Sequence, residues 1–182
     1  MTRIQLVPVG NVDLAILEWL ALALADSLRV VCRVHESPID PSGTYHSARQ
    51  QYNSTAILAE LLRLDEQAEE KLLGIADVDL FIPILTFVYG EAQLNNRAAV
   101  VSVYRLRQEF YGLPGSDSVF YQRCEKEALH ELGHTFGLVH CPQFDCLMYY
   151  SNSIEQIDLK TNMFCAECHR KLSVTGYEIP LQ

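Results

Sequence analysis

Eleven consecutive residues, His130-Glu131-Leu132-Gly133-His134-Thr135-Phe136-Gly137-Leu138-Val139-His140, constrain this chain more than any other feature. His130 and His134 are four apart, so on a helix both imidazoles leave one face a turn apart and can grip one metal ion. Glu131 lies about 100° further round, which suits a carboxylate that touches water at the metal and not the metal itself. Gly137 lets the backbone turn sharply, and His140 then returns as a third ligand. Three neutral nitrogens leave a fourth tetrahedral position open, as in catalytic zinc sites. The five-residue part of the string arises by chance on ordinary helices. All five fixed positions, however, coincide in roughly one in forty thousand sequences of this composition, so chance is a minor rival.

Four of the six cysteines follow at once: Cys141, Cys146, Cys165 and Cys168. Their spacing fits two ligand pairs closing one tetrahedral thiolate site, a structural zinc. Cys165-Ala166-Glu167-Cys168-His169 also matches a c-type haem attachment string, but that reading needs export and leaves Cys141 and Cys146 unexplained. Cys32 and Cys124 read as buried, inert thiols. Because Cys141 adjoins His140, the two metal sites share one backbone segment, and the thiolate site is expected to fix the third histidine in place.

Met148 lies eight residues past His140; taken alone it is a core residue filling a gap. Metzincin zinc peptidases carry the same histidine string followed by a methionine turn beneath the metal, and this sequence resembles them at every fixed position. With the four-cysteine set directly behind, it resembles the archaemetzincin family in particular, and residues 49–58 and 87–111 are similar to that family as well. The resemblance implies a zincin-like fold with a mixed, twisted sheet. It also implies a catalytic zinc on His130, His134 and His140, a structural zinc on the four cysteines, Met148 in the methionine turn, and peptidase activity on a peptide or protein substrate.

The rest of the chain sets the frame. At 182 residues and 49% hydrophobic content it is long enough for one domain, residues 1–182, with its own core. A net charge of -9 with only four lysines argues against a nucleic-acid groove or an anionic membrane surface. Asp13 and Glu18 interrupt the best apolar stretch, and Pro8 and Gly10 break any signal-peptide core, so a soluble, cytoplasmic monomer is expected. The first strand begins by Ile4, which leaves no room for an inhibitory pro-segment, so narrow specificity, restricted access or low activity is expected.

Residues 4–9 read as a buried strand, 11–27 as a helix with Leu14, Leu17, Ala21 and Leu24 on one face, and 29–35 as a strand. Residues 36–45 read as a loop, 53–64 as a helix opened by Asn53-Ser54-Thr55, 66–73 as a short helix stopped by Gly74, and 80–85 as a strand. A hairpin follows, with arms 87–94 and 98–104 joined at Asn95-Asn96. The fold class is therefore α/β (α+β), a mixed sheet with one antiparallel strand near its edge. From Pro114-Gly115-Ser116 the character changes. Asp117 or Ser118 caps a helix to residue 136, which carries the His-Glu-x-x-His string. Residues 137–161 are aperiodic, and 164–172 form a short last helix, so residues 1–112 and 113–182 have different tasks.

Glu131 is assigned as the general base and acid of a zinc-dependent hydrolysis, with strand 87–94 aligning an extended peptide by strand addition. The rival is a zinc-stabilised binding module with little peptidase activity; Glu131 favours the enzyme, since such a module needs no base there. Tyr150 reads as a packed or surface tyrosine, and Glu127 equally as a carboxylate behind the metal or a solvated helix charge. His35, His46 and His169 fit no pattern.

Overall fold

A computed structural model describes residues 2–64 and 70–174. Its main sheet has the order β2-β1-β5-β8-β7, built from β1 (Arg3–Val9), β2 (Val31–Val34), β5 (Lys71–Ala76), β7 (Gly90–Ala92) and β8 (Ala98–Ser102). β1 pairs in parallel with β2 and β5, and β5 with β8, while β7 pairs antiparallel with β8 at the edge. The expected hairpin and antiparallel edge strand are therefore present. A small second sheet joins β3 (Tyr45–His46), β4 (Gln51–Asn53) and β6 (Leu80–Phe81); β6 falls in the strand read over 80–85, whereas no strand is read at β3 and β4.

The central strands are buried on both faces, and their alternation divides the core in two. Ile4, Leu6, Leu73, Ile75, Ala99 and Val101 pack with α1 (Leu14–Leu28) and α3 (Asp117–Thr135). Val7, Val9, Leu72, Ala76, Ala98 and Val100 pack with Ile57, Leu58 and Leu61 of α2 (Ser54–Arg63). Asp13 caps α1, its carboxylate accepting from Ala15 N at 2.9 Å, and Asn53 caps α2 by accepting from Ala56 N at 3.0 Å. The buried stripe of α1 is Ile16, Leu17, Leu20, Leu24 and Leu28, whereas Leu14 is exposed. α1 ends at Arg29 in the left-handed conformation, so β2 starts later than residue 29.

The short helix read over 66–73 is corrected in its second half. Residues 65–69 lie outside the described residues, but Lys71, Leu72 and Leu73 are strand β5 at the centre of the sheet. Gly74 is no helix stop. A Cβ there would meet Leu61 Cδ1 at 2.9 Å and Val9 and Val100 methyls at 3.2 and 3.3 Å, so glycine lets α2 lie close on the sheet. The strand read over 80–85 is only Leu80–Phe81 before Pro83. The stretch 137–161 contains a helix, α4 (Ile154–Leu159), and the last described helix is α5 (Ala166–Val174).

Two polar clamps set α3. At its C-terminus Lys71 Nζ donates to Thr135 O at 2.8 Å and to Asn96 O at 2.7 Å, and Asn95 N donates to His134 O at 2.9 Å. A cation and an amide thus satisfy carbonyls that the helix leaves open. Midway along, Arg123 holds Asp158 through two hydrogen bonds of 2.8 and 2.7 Å, and Lys126 Nζ donates to Ile157 O and Asp158 O. These tie α3 to the end of α4.

Candidate metal and catalytic centre

α3 carries His130, Glu131 and His134 on its last turns, and Gly137, at φ +93°, reverses the chain so that His140 comes back over the same face. The three candidate ligand nitrogens converge: His134 Nε2 stands 3.2 Å from both His130 Nε2 and His140 Nε2. The other ring nitrogens decide the tautomers. His130 Nδ1 lies 2.9 Å from Leu147 O and His134 Nδ1 2.7 Å from Leu138 O, and carbonyls only accept, so both Nδ1 atoms carry the proton. Their Nε2 lone pairs then face one another, an arrangement that a cation between them stabilises. Zinc–nitrogen bonds of about 2.0–2.1 Å in a tetrahedron put nitrogens about 3.3 Å apart, so the residues fit zinc. Burial lowers the proton affinity of all three imidazoles, His130 furthest with the Lys160 charge adding to it, and keeps them neutral.

Glu131 is buried beneath the cleft, 6% exposed. Burial, and then the Glu127 charge, push its carboxyl well above the usual carboxylate range, against the opposing Lys160. A Cβ on Gly90 would lie 2.6 Å from Glu131 Cγ and 2.7 Å from Oε1, so the carboxylate reaches the edge strand only because residue 90 has no side chain. Gly133 performs the same service below: its Cβ would lie 2.5 Å from the sulfur of fully buried Met148. Met148 therefore lies directly under the histidine helix.

Cys141, Cys146, Cys165 and Cys168 form a second cluster whose sulfurs all lie within 4.8 Å of one another. Cys141 and Cys165 Sγ are 3.8 Å apart and Cys146 and Cys168 Sγ 3.9 Å, against about 3.8 Å for a zinc tetrahedron with 2.3 Å bonds. Burial pushes the Cys146 thiol up to about 11. Cys165 is drawn down against its burial, by the backbone N–H of Cys168 and by neighbouring thiols. Cys32 and Cys124 stand apart from the cluster, and burial pushes the Cys32 thiol up to about 12. The two clusters meet at the His140–Cys141 peptide, where Cys141 N donates to Met148 O at 2.9 Å.

Both histidine helix and edge strand line a cleft of about 610 Å³, with Phe87, Tyr89, Gly90, Glu91, Leu94, Val139, Tyr150 and Ser151 among its walls. Tyr150, half exposed, has its ring 5.2 Å from that of His140. Arg49 fixes the segment above β7, donating to Leu85 O at 2.6 Å and Thr86 O at 3.2 Å. Glu127 is no solvated charge: it is 4% exposed and pairs with the buried Lys160. Gly90, Gly133 and Lys160 were not singled out from the sequence, because each matters through a contact distant along the chain.

A model of Peptidase family M54 matches residues 30–174. The chain belongs to that family, the archaemetzincins. The archaemetzincin of Methanocaldococcus jannaschii is 40% identical over 98% of this chain and 97% of its own. Among solved structures, the archaemetzincin of Methanopyrus kandleri superposes with a TM-score of 0.83 at 32% identity, covering 97% of this chain and 96% of that one. A structure described as a zinc-dependent peptidase, from Methanocorpusculum labreanum, gives 0.81 at 28% identity, covering 93% and 99%. As an archaemetzincin the protein is a zinc metallopeptidase, a hydrolase, with two candidate metal clusters among its described residues. No helix among those residues is long and apolar enough to cross a membrane.

Proposed function

We propose that this chain hydrolyses peptide bonds in an extended peptide or protein segment laid along β7. In this reading His130, His134 and His140 hold one zinc, the four cysteines hold a second, and Glu131 is general base and then general acid. The zinc of the histidine site, when bound, supplies Lewis acidity and brings the pKa of water towards 7. The protein's own groups do the rest. Leu147 O and Leu138 O hold the imidazoles with Nε2 free, so ligation needs no proton rearrangement. Glu131, raised in proton affinity by burial, accepts a proton from water in the cleft and returns it to the leaving amine. The free edge of β7 offers backbone groups that align the substrate. Residues 1–182 are read as one monomeric zincin-like unit, in which 1–112 present the strand and 113–182 the metal ligands and the methionine turn.

The convergence of three neutral Nε2 atoms beside a buried carboxylate with no metal-ligand geometry of its own carries this reading. A zinc-stabilised binding module has no use for that carboxylate. Incubating the zinc-loaded protein and its Glu131→Gln variant with a complex peptide library, read by mass spectrometry, tests it. New termini produced by the unmutated protein and reduced about 10²- to 10⁴-fold in the variant are expected. Identical digests with zinc bound in both would overturn the peptidase.

A further inference from the structure

The wall of the cleft holds charge that the hydrolysis does not use. Glu127, one turn before Glu131 on α3, lines the cleft while only 4% exposed. Behind it Lys160 has a fully buried side chain, its Nζ 2.8 Å from Glu127 Oε1. The two charges are each other's partner in this ion pair, and neither atom makes a hydrogen bond to any further group. Ser151, also on the cleft wall, has a buried hydroxyl with no partner. Glu127, paired only with Lys160, and the unpartnered Ser151 hydroxyl thus line one cleft with hydrogen-bonding capacity unused, and such capacity left unused destabilises the folded chain. A buried ion pair adds little stability over apolar side chains of the same shape, so packing does not explain this one.

We infer that Glu127 and Ser151 form a subsite for a substrate side chain ending in a carboxamide, asparagine or glutamine, with Lys160 setting the charge balance. This deepens the peptidase reading and rests on it. The chemistry follows from what each alternative side chain meets. A lysine or arginine finds Glu127 already neutralised and Lys160 repelling it. A glutamate or aspartate meets the Glu127 carboxylate. An aliphatic side chain seals Glu127 and Ser151 away from water with their hydrogen-bonding capacity unused. A carboxamide has both complements: its N–H groups donate to the Glu127 carboxylate, and its oxygen accepts from the Ser151 hydroxyl. Being uncharged, it leaves the Glu127–Lys160 pair in balance. Glu127 and Ser151 are thus residues that set specificity; Lys160 is a positioning residue, acting through Glu127.

Binding separates this subsite from the chemistry. Zinc-loaded Glu131→Gln protein is titrated with positional-scanning pentapeptides that carry glutamine, norleucine, lysine or glutamate at each position in turn, and dissociation constants are read by calorimetry. At one position glutamine is expected to bind at least tenfold more tightly than norleucine. Ser151→Ala in the same background should cut that ratio several-fold. The joint change Glu127→Met with Lys160→Met, which removes both charges together and so avoids a stranded buried ion, should reverse it in favour of norleucine. A ratio near one at every position, a preference for lysine, glutamate or norleucine, a ratio unmoved by either variant, or no binding of any pentapeptide overturns the subsite. Cleavage by the unmutated protein is scored separately. Library cleavage without selectivity for asparagine or glutamine sinks the subsite alone, whereas no cleavage sinks the peptidase reading and leaves the binding ratios to judge the subsite.

Discussion

The two clusters that meet at the His140–Cys141 peptide use opposite designs. The histidines are graded in burial, from His130 at 5% exposure to an exposed His140, and they open onto the cleft. The rings of His130 and His134 are oriented by carbonyl acceptors on the chain itself. In the cysteine cluster Cys146 and Cys168 are buried, and its segments are joined by few backbone hydrogen bonds, among them Leu147 N to Met163 O and Thr161 N to Asp145 O, both at 2.9 Å. Two of the three histidines stand on one helix, and all three line the cleft. The cysteine cluster draws on separate segments of the chain, and under the proposed reading a metal there would tie them together, which is how a structural metal contributes to folding.

That contrast can be broken most sharply at the cysteines. Cys168→Ser is expected to cost on the order of 4 kcal/mol, a melting temperature about 10 °C lower by calorimetry, and to weaken zinc binding at the histidines as well. His140→Ala should reduce bound metal to one ion per chain with the melting temperature little changed. If the cysteine variant binds zinc at the histidines with unaltered affinity, the thiolate site is not the scaffold of the other. Gly90→Ala comes next. It drives a methyl into Glu131 on the histidine side only, so kcat should fall about 100-fold with stability retained. Gly133→Ala pushes on Met148, which belongs to both sites through Cys141 N and the histidine helix. A loss of about 1–3 kcal/mol by denaturant titration is expected. The smallest effect belongs to Lys71→Met, which removes one bond to a carbonyl at the end of α3 and one to Asn96 O in the β7–β8 hairpin. It should cost about 1 kcal/mol and leave KM unchanged, sharpening the view that the histidine helix is held independently of any metal.

Much of this architecture was legible before the structure. Strand β1, helices α1, α2 and α3 and the hairpin at Asn95-Asn96 follow from long periodic runs and strong caps, which local physics decides. Residues 71–76 misled because Leu-Leu-Gly-Ile-Ala is too short for periodicity to separate strand from helix, and Gly74 has two meanings, a helix stop or a gap for a neighbouring helix. α4 escaped because six residues give less than two turns, and its position depends on Arg123 and Lys126 far away in sequence. At the site, the clustering of the histidines and of the cysteines was readable because their spacing along the chain matches that of metal-ligand sets. Glu127 was not, since nothing local reveals that Lys160, thirty-three residues on, is buried against it.

β7 is three residues long and lies at the sheet edge, bordered by β8 on one side. An edge that can accept a substrate strand can accept any strand, including one from an unfolded neighbour, and longer edges of this kind nucleate aggregates. Three residues give an incoming chain only about one or two backbone pairings. Under the proposed reading, passing chains would sample so short a rail and leave quickly, and residence time would fall to whichever side chains find a pocket.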